Sequence, residues 1–297
     1  MPELPEVETI RLGLAEVLPG KRIKNFEVRL PKLVKIIGPE GLGRIIGAKI
    51  KGVDRRGKLL MIRLSTGLTL LIHLKMTGQL IFRQSRKVVL AGGHPIPTVD
   101  GDLPGKVTHA IFTFADGSEL FFNDLRQFGY IKPVPDEDVD NIPLVKTFGP
   151  EPLTKEFTQK LFQERLTRRP NAKLKPLLLD QSFLAGLGNI YVDESLNLAK
   201  LHPLRTAGSL TTQQRQTLFK AINTILRKAL RHQGTSDNSY VNIRGGKGDY
   251  LKYARVYHRA DQPCLACGSP IRRMVVAGRG THYCPRCQRP PRAKVVR

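Results

Sequence analysis

All four cysteines of this 297-residue chain lie in one short segment near its C-terminus. They form two CxxC pairs, Cys264 with Cys267 and Cys284 with Cys287, at a spacing typical of a four-thiolate zinc site. Zn²⁺ takes four soft ligands in a tetrahedron, and each CxxC turn supplies two of them. Because four protein ligands leave no position for water, we expect one structural Zn²⁺ rather than a catalytic one. Two disulfides or two redox pairs are the alternatives, and this spacing favours them less.

Positive charge dominates the composition. The chain has 49 Lys and Arg against 25 Asp and Glu, a formal net charge of +24, and no acidic residue follows Cys264. A phosphate-bearing partner is the simplest explanation of so large a charge. An anionic membrane surface is the competing partner, but no apolar stretch is long enough to span a bilayer, and the acidic N-terminal segment is unlike a signal peptide. We therefore expect a soluble intracellular protein with reduced thiols.

Hydrophobic periodicity predicts a mostly antiparallel β domain in the first half of the chain. Residues 5–18 are predicted to form a helix, because Val7, Ile10 and Leu14 share a face and a Pro-Gly pair follows. Alternating segments predict strands at 22–30, 49–54, 58–64, 68–74, 79–82, 107–114 and 119–122. Residues 84–106 are rich in Gly and Pro, and we expect them to form a surface loop.

The second half of the chain predicts a helical domain. The acidic, proline-rich segment 135–152 is the expected interdomain linker. Helical spacing begins near residue 154, and helices are predicted at 175–179, 190–199 and 211–230. Thr211 and Gln214 form a capping box at the start of the last one. With the zinc hairpin at the end of this domain, the two halves together predict the α+β fold class.

Six motifs follow one another along nearly the whole chain: MPELPEVETI, RRGKLLM, IHLKMTGQL, NDLRQFGY, DQSFLAGLGNIYVDESL and GRGTHYCPRCQ. In these motifs the chain resembles the formamidopyrimidine-DNA glycosylase family. The resemblance implies an N-terminal β-sandwich with one helix (1–134), the linker (135–152), a helix–two-turn–helix DNA-binding domain (153–260) and a zinc-finger β-hairpin (261–297).

The same resemblance implies a base-excision repair enzyme of the bacterial cytoplasm, associated with the nucleoid. Such an enzyme is a glycosylase that removes oxidised purines, 8-oxoguanine and formamidopyrimidines, from double-stranded DNA. It is also a lyase that then cleaves the strand at the abasic site by β,δ-elimination. The chain shows no heptad pattern, which favours a monomer.

The catalytic residues that the resemblance implies begin at the N-terminus. Removal of Met1 would leave Pro2 with a free secondary amine, and an α-amino group with a pKa of about 8 is partly neutral at physiological pH. This amine would attack the sugar carbon C1′ and form a Schiff base. The resemblance assigns proton transfer to Glu3, with Glu6 in support, and proton donation or a phosphate contact to Lys58. The alternatives are acids that complement the helix dipole and a solvated lysine.

Three further residues match the family's inserted triad. An enzyme that acts on a base must take it out of the stack, and another group then fills the space. Met76, Arg126 and Phe128 match the residues that do so, since a flexible thioether, a guanidinium and a flat ring suit this task. The alternative for Met76 and Phe128 is packing in the core.

Phosphate contacts are expected at Asn189, Arg279 and His73. Asn189 follows the glycine-rich turn 184–188 and stands at the mouth of a helix. Arg279 lies at the tip of the zinc hairpin, where a guanidinium can bind phosphate with two hydrogen bonds, and the resemblance adds proton donation in δ-elimination. His73 lies in an apolar strand, where a structural histidine is the alternative.

Two other functions stay open on the sequence: an oxidised-pyrimidine glycosylase of the same fold, and a non-enzymatic zinc-containing DNA-binding protein. The first typically begins Pro-Glu-Gly-Pro, whereas this chain has Leu4. The second would form no covalent intermediate with DNA. Gln127 replaces a second arginine of many relatives, residues 234–250 follow the base-recognition loop only loosely, and no role is assigned to 84–106. The preferred lesion is therefore open.

Overall fold

The structure, a computed structural model, describes residues 1–34, 43–94, 103–235 and 248–290. It has the expected α+β fold, and its chain divides into two compact units. Unit 1 comprises Met1–Lys146 with Leu230–Asp249, and unit 2 comprises Thr147–Ala229 with Tyr250–Arg297. Among the described residues, every helix is too short or too polar to cross a bilayer.

Unit 1 is the predicted β-sandwich, preceded by helix α1 (Leu4–Val17). Its strands are β1 (Ile23–Val28), β2 (Ile50–Arg56), β3 (Leu59–Leu64), β4 (Leu68–His73), β5 (Gly78–Gln84), β6 (Lys87–Gly93), β7 (Thr108–Phe114), β8 (Glu119–Asp124) and β9 (Tyr130–Pro135). One antiparallel sheet has the order β1-β7-β8-β5-β6, and the other has the order β2-β3-β4-β9. The register of the first sheet pairs Gly78 with Asp124.

A shared apolar core joins the two sheets of unit 1. Phe26 and Phe112 stack with ring centroids 4.2 Å apart, and Ile62, Ile72 and Phe82 are buried in the same core. Side chains alternate between the two faces of a strand, which explains the predicted period of two. Helix α1 adds its buried apolar face to this core, and all the predicted strands are present.

The prediction of a surface loop over residues 84–106 is wrong in part. Residues 87–93 form β6, which pairs with β5 along the edge of the five-stranded sheet. Gly92 lies against α1, and a Cβ on it would stand 2.6 Å from Ile10 Cγ1. This glycine therefore permits a close approach of helix and strand rather than a loop. The loop prediction for residues 95–102 lies outside the described residues.

Strand β9 was not expected from the sequence, because it contains Pro133 and ends at Pro135. Proline cannot donate a hydrogen bond to a neighbouring strand, so it is confined to sheet edges. β9 is the outer strand of the four-stranded sheet and satisfies this restriction. It is followed by a 3₁₀ turn over Asp136–Asn141 and by the short helix α2 (Pro143–Lys146), both inside the predicted linker.

Unit 2 is helical and ends in a hairpin. Its elements are α3 (Gln159–Thr167), α4 (Leu174–Leu179), α5 (Asn189–Leu198), α6 (Thr212–Arg231, whose last two residues belong to unit 1), β10 (Arg272–Val276) and β11 (Arg279–Tyr283). The predicted capping box is present: the Thr211 amide donates to Gln214 Oε1 at 3.1 Å, and the Gln214 amide donates to Thr211 Oγ1 at 3.2 Å. Phe162, Phe183 and Tyr191 are central in the apolar core.

Candidate active site and nucleic-acid interface

The candidate nucleophile stands just ahead of α1. Pro2 is half-buried, whereas the side chains of Glu3 and Glu6 are almost fully buried. Glu3 is the N-cap residue, and its backbone amide donates to Glu6 Oε2 at 2.8 Å. The first turn of α1 therefore fixes the backbone next to Pro2. Burial of two carboxylates beside a chain terminus is unusual for acids that only complement a helix dipole.

The other oxygen of Glu6 binds a residue 229 positions away. Thr235 donates to Glu6 Oε1 from its amide at 2.8 Å and from its hydroxyl at 3.2 Å. The neighbouring Gly234 has φ +82°, and a Cβ on it would stand 2.6 Å from the same oxygen. Only glycine can approach the carboxylate in this backbone conformation without strain. Of the predicted base-recognition loop 234–250, residues 236–247 lie outside the described residues.

The charge of Lys58 acts on His73 in unit 1. Lys58 is buried in the turn that precedes β3, directly after Gly57. Burial, followed by the positive charges of Lys75 and Lys58, lowers the pKa of His73 to about 3. The Lys75 amide donates to His73 Nδ1 at 3.0 Å, so the ring proton is placed on Nε2. His73 is thus a neutral hydrogen-bond donor beside a lysine.

The three predicted inserted residues are exposed. Met76 keeps 39% of its surface exposed and Phe128 keeps 53%, and Arg126 is exposed as well. Met76 lies in the turn between β4 and β5, and the other two lie in the turn between β8 and β9. The guanidinium carbon of Arg126 stands 4.8 Å from the centroid of the Phe128 ring. Core packing, the alternative for Met76 and Phe128, is therefore wrong.

Asn189 and Arg279 lie close together in unit 2. Asn189 is the first residue of α5, and its Nδ2 donates to the carbonyl of Gly280 at 3.0 Å. Arg279 is exposed and opens β11 at the tip of the hairpin. The side-chain amide of Asn189 thus binds the backbone next to Arg279.

A buried ion pair that the sequence analysis missed supports the same hairpin. Lys175 Nζ and Asp193 Oδ1 are 2.7 Å apart, and both side chains are fully buried. Lys175 also donates to the Gly280 carbonyl at 3.1 Å, while the His282 amide donates to Asp193 Oδ2 at 2.8 Å. Helices α4 and α5 are thereby joined to β11. The position of Asp193, four residues after Asn189 on the same face of α5, is a weak sequence signal for this cluster, but Lys175 carries none.

The four cysteines form the predicted metal site. Their Sγ atoms all lie within 4.8 Å of one another, with Cys264 and Cys287 at 3.9 Å and Cys267 and Cys284 at 3.5 Å. Tetrahedral Zn–S bonds of about 2.3 Å place sulfur atoms about 3.8 Å apart, which agrees with these distances. The site fits one structural Zn²⁺.

Three family models match the chain. They are "Formamidopyrimidine-DNA glycosylase N-terminal domain" over residues 1–131, "Formamidopyrimidine-DNA glycosylase H2TH domain" over residues 148–240 and "Zinc finger found in FPG and IleRS" over residues 261–290. The formamidopyrimidine-DNA glycosylase of Pelotomaculum thermopropionicum is 42% identical over 97% of this chain and 99% of its own length. That of Heliobacterium modesticaldum is 43% identical over 97% and 100%.

Solved structures agree with the sequence comparisons. A point mutant of Lactococcus lactis FPG, in complex with DNA that contains Fapy-dG, superposes with a TM-score of 0.85 at 36% identity, covering 97% of this chain and 100% of that one. The wild-type Lactococcus lactis protein in complex with DNA that contains an oxidized pyrimidine gives a TM-score of 0.84 at the same identity and coverage.

Proposed function

Because the chain belongs to the formamidopyrimidine-DNA glycosylase family, we propose that it excises 8-oxoguanine and formamidopyrimidines from double-stranded DNA and cleaves the strand at the resulting abasic site. The observation that carries this proposal is the arrangement at the N-terminus. There, Pro2 is held next to the buried carboxylates of Glu3 and Glu6. Covalent attack on a sugar requires at least a nucleophile, here the α-amine, and a nearby group that can donate and accept protons.

The proposed reaction begins with the neutral amine of Pro2. Its nitrogen forms a bond to C1′ of the deoxyribose as the bond from C1′ to the damaged base breaks, and the base leaves with the bonding electrons and gains a proton. Glu3 donates a proton to the sugar oxygen, so that the ring opens and an iminium forms. The iminium then accepts the electrons that are released when C2′ loses a proton, and the 3′ phosphate leaves; loss of the C4′ proton expels the 5′ phosphate in the same way. Lys58 and Arg279 are the proposed donors of protons or hydrogen bonds to these phosphates.

The remaining residues are proposed to hold the opened DNA. Met76, Arg126 and Phe128 are exposed and fill the space that the extruded nucleotide leaves. His73 is neutral and contacts phosphate through its Nε2–H group. Asn189 and Arg279 of unit 2 bind phosphate as well, supported by the purely cationic zinc segment.

Borohydride trapping on duplex DNA with one 8-oxoguanine tests the covalent step. Reduction of the iminium is expected to link the processed protein to DNA, and peptide mapping is expected to place the link on Pro2. A short peptide added ahead of Pro2 removes its free amine and should abolish the link, whereas the same peptide added at the C-terminus should not. Equal trapping of the two fusions would refute the role of Pro2, and no trapping by the native protein would favour a non-enzymatic DNA-binding protein.

A lesion panel distinguishes purine from pyrimidine excision. Single-turnover rates are compared on duplexes with 8-oxoguanine, a formamidopyrimidine or thymine glycol at one position. We expect the two purine lesions to be excised faster, because the N-terminal motif contains Leu4 and the family models name formamidopyrimidine. A higher rate on thymine glycol would assign the chain to oxidised-pyrimidine repair.

We further propose that the protein acts as a monomer in the bacterial cytoplasm, at the nucleoid. Support comes from its DNA substrate and from zinc thiolates that require reduced cysteines. Sedimentation of the protein with a lesion duplex should give one protein per duplex.

A further inference from the structure

A buried carboxylate links the two turns that carry Met76, Arg126 and Phe128. Asp124 is the last residue of β8 and is fully buried. Its backbone is fixed on both sides, because its amide donates to the Val107 carbonyl at 2.9 Å and its carbonyl accepts from His109 Nε2 at 2.8 Å. The side chain therefore starts from a rigid position in the sheet.

Both oxygens of Asp124 accept hydrogen bonds from the two exposed turns. Oδ1 accepts from the Thr77 hydroxyl and, at 3.2 Å, from the Arg126 amide. Oδ2 accepts from the Gly129 amide at 2.6 Å. The Arg126 amide also donates to Thr77 Oγ1 at 2.9 Å, which closes the network between the turns.

Each of these hydrogen bonds is made by one of the three exposed residues or by the residue that follows it in the sequence. Thr77 follows Met76, Arg126 is itself one of the three, and Gly129 follows Phe128. One carboxylate thus binds the Arg126 and Gly129 amides of one turn and the Thr77 hydroxyl of the other, while Met76, Arg126 and Phe128 keep their side chains exposed. Hydrogen bonds to a charged acceptor are about twice as strong as neutral ones. The two turns therefore keep their relative position even when no DNA is bound.

We propose that Asp124 is a positioning residue for base extrusion, which holds Met76, Arg126 and Phe128 in the arrangement that enters the duplex. This inference rests on the proposed function of those three residues. It assigns to Asp124 no contact with DNA and no proton transfer. Its role is to remove the cost of ordering two turns at the moment when the nucleotide leaves the stack.

The test removes the two hydrogen bonds of the Thr77 hydroxyl, to Asp124 Oδ1 and from the Arg126 amide, and preserves the fold. Thr77→Val deletes the hydroxyl at nearly constant volume, and Thr77→Ser retains it. Ser118→Ala is the matched control, since the Ser118 hydroxyl donates to Asp116 Oδ1 at 2.6 Å in the turn at the opposite end of β8. Excision of 8-oxoguanine from a duplex is compared with strand cleavage at a preformed abasic site in single-stranded DNA, which needs no extrusion.

We expect Thr77→Val to slow duplex excision about tenfold, with single-stranded cleavage within about twofold of wild type. The main loss is the hydrogen bond from the hydroxyl to the carboxylate, because the Arg126 amide keeps Asp124 Oδ1 as an acceptor. Thr77→Ser should recover most of the duplex rate, and Ser118→Ala should not change it. In a Phe128→Ala background, Thr77→Val should add little, because the positioned ring is absent. Asp124→Asn should resemble Thr77→Val and replaces it if that variant does not fold.

Three results would overturn the inference: an unchanged duplex rate in Thr77→Val, an equal loss on both substrates, or full additivity with Phe128→Ala. A wild-type protein that excises no lesion from any duplex would instead refute the proposed function itself. The two failures are therefore distinguishable.

Discussion

At the residue scale, buried polar side chains near the N-terminus are acceptors for backbone donors. Both oxygens of Glu6 accept from amides, one from Glu3 and the other from Thr235, and His73 Nδ1 accepts from the Lys75 amide. A carboxylate held in this way is better suited to fix a neighbour than to exchange protons. We therefore assign Glu6 to the positioning of Pro2 and Glu3, and leave proton transfer to Glu3.

The neutral state of His73 gives a prediction for stability against pH. The folded-state pKa is about 3, below the ordinary value of 6.5, so the unfolded chain binds one proton more between these values. Stability is then lost as the pH falls below 6.5, by about 2 kcal/mol at pH 5. His73→Asn keeps an acceptor for the Lys75 amide and removes the titration. Urea unfolding at several pH values should show a shallower loss in this variant, and parallel curves would contradict the assignment.

At the element scale, the sequence correctly predicted the elements whose formation depends on neighbouring residues. The period of α6 and its capping box at Thr211 and Gln214 require only neighbouring residues, and both are present. β6 and β9 were missed because glycine and proline usually end strands. In this fold Gly92 lets β6 approach α1, and Pro133 lies in an edge strand. Both arrangements depend on residues that are distant in sequence.

The candidate site was predictable to a similar extent. Motifs indicated the residues that would face DNA, including Met76 and Phe128, because their types suit the chemistry. The buried residues that support the exposed turns of unit 1 and the hairpin of unit 2 were not predicted. Lys175 contacts a carbonyl 105 positions away, and an isolated lysine in an apolar run gives no sign of such a partner.

Removal of one partner of the buried Lys175–Asp193 pair is expected to destabilise unit 2 strongly. Lys175→Met leaves a buried carboxylate without its cation and should lower the free energy of unfolding by about 3–5 kcal/mol. It should also speed the release of Zn²⁺ to a chromogenic chelator, because the hairpin next to the cysteines loses a contact. Arg169→Met is the control: its pair with Asp180 is exposed, at 3.4 Å, and should contribute about 1 kcal/mol or less. Similar losses in the two variants would be inconsistent with this account.

At the scale of the whole molecule, the net charge of +24 makes binding to DNA an exchange of ions. Each neutralised phosphate releases condensed counterions, so the affinity falls as salt is added. This electrostatic attraction does not depend on the DNA sequence, so it acts on any duplex. We propose that recognition of a lesion then depends on the exposed side chains of Met76, Arg126 and Phe128.

Salt dependence measures the phosphate contact of Arg279. Binding to a duplex with a non-cleavable abasic analogue is followed by fluorescence anisotropy at several salt concentrations. Arg279→Gln should reduce the slope of log K against log salt by about 0.9, the value for one phosphate. Arg63→Gln is the control, since Arg63 is paired with Asp54 at 3.1 Å, and it should leave the slope unchanged. An unaltered slope in Arg279→Gln would mean that this arginine contacts no phosphate.

The contact between Glu6 and Thr235 has a consequence for biosynthesis. A ribosome makes the polypeptide from its first residue onward, and the two partners are 229 positions apart. The nascent chain therefore carries its reactive end early but receives the partner that fixes it only after residue 235 has left the exit tunnel. An interrupted product that lacks Thr235 would therefore lack the two hydrogen bonds that hold Glu6 Oε1.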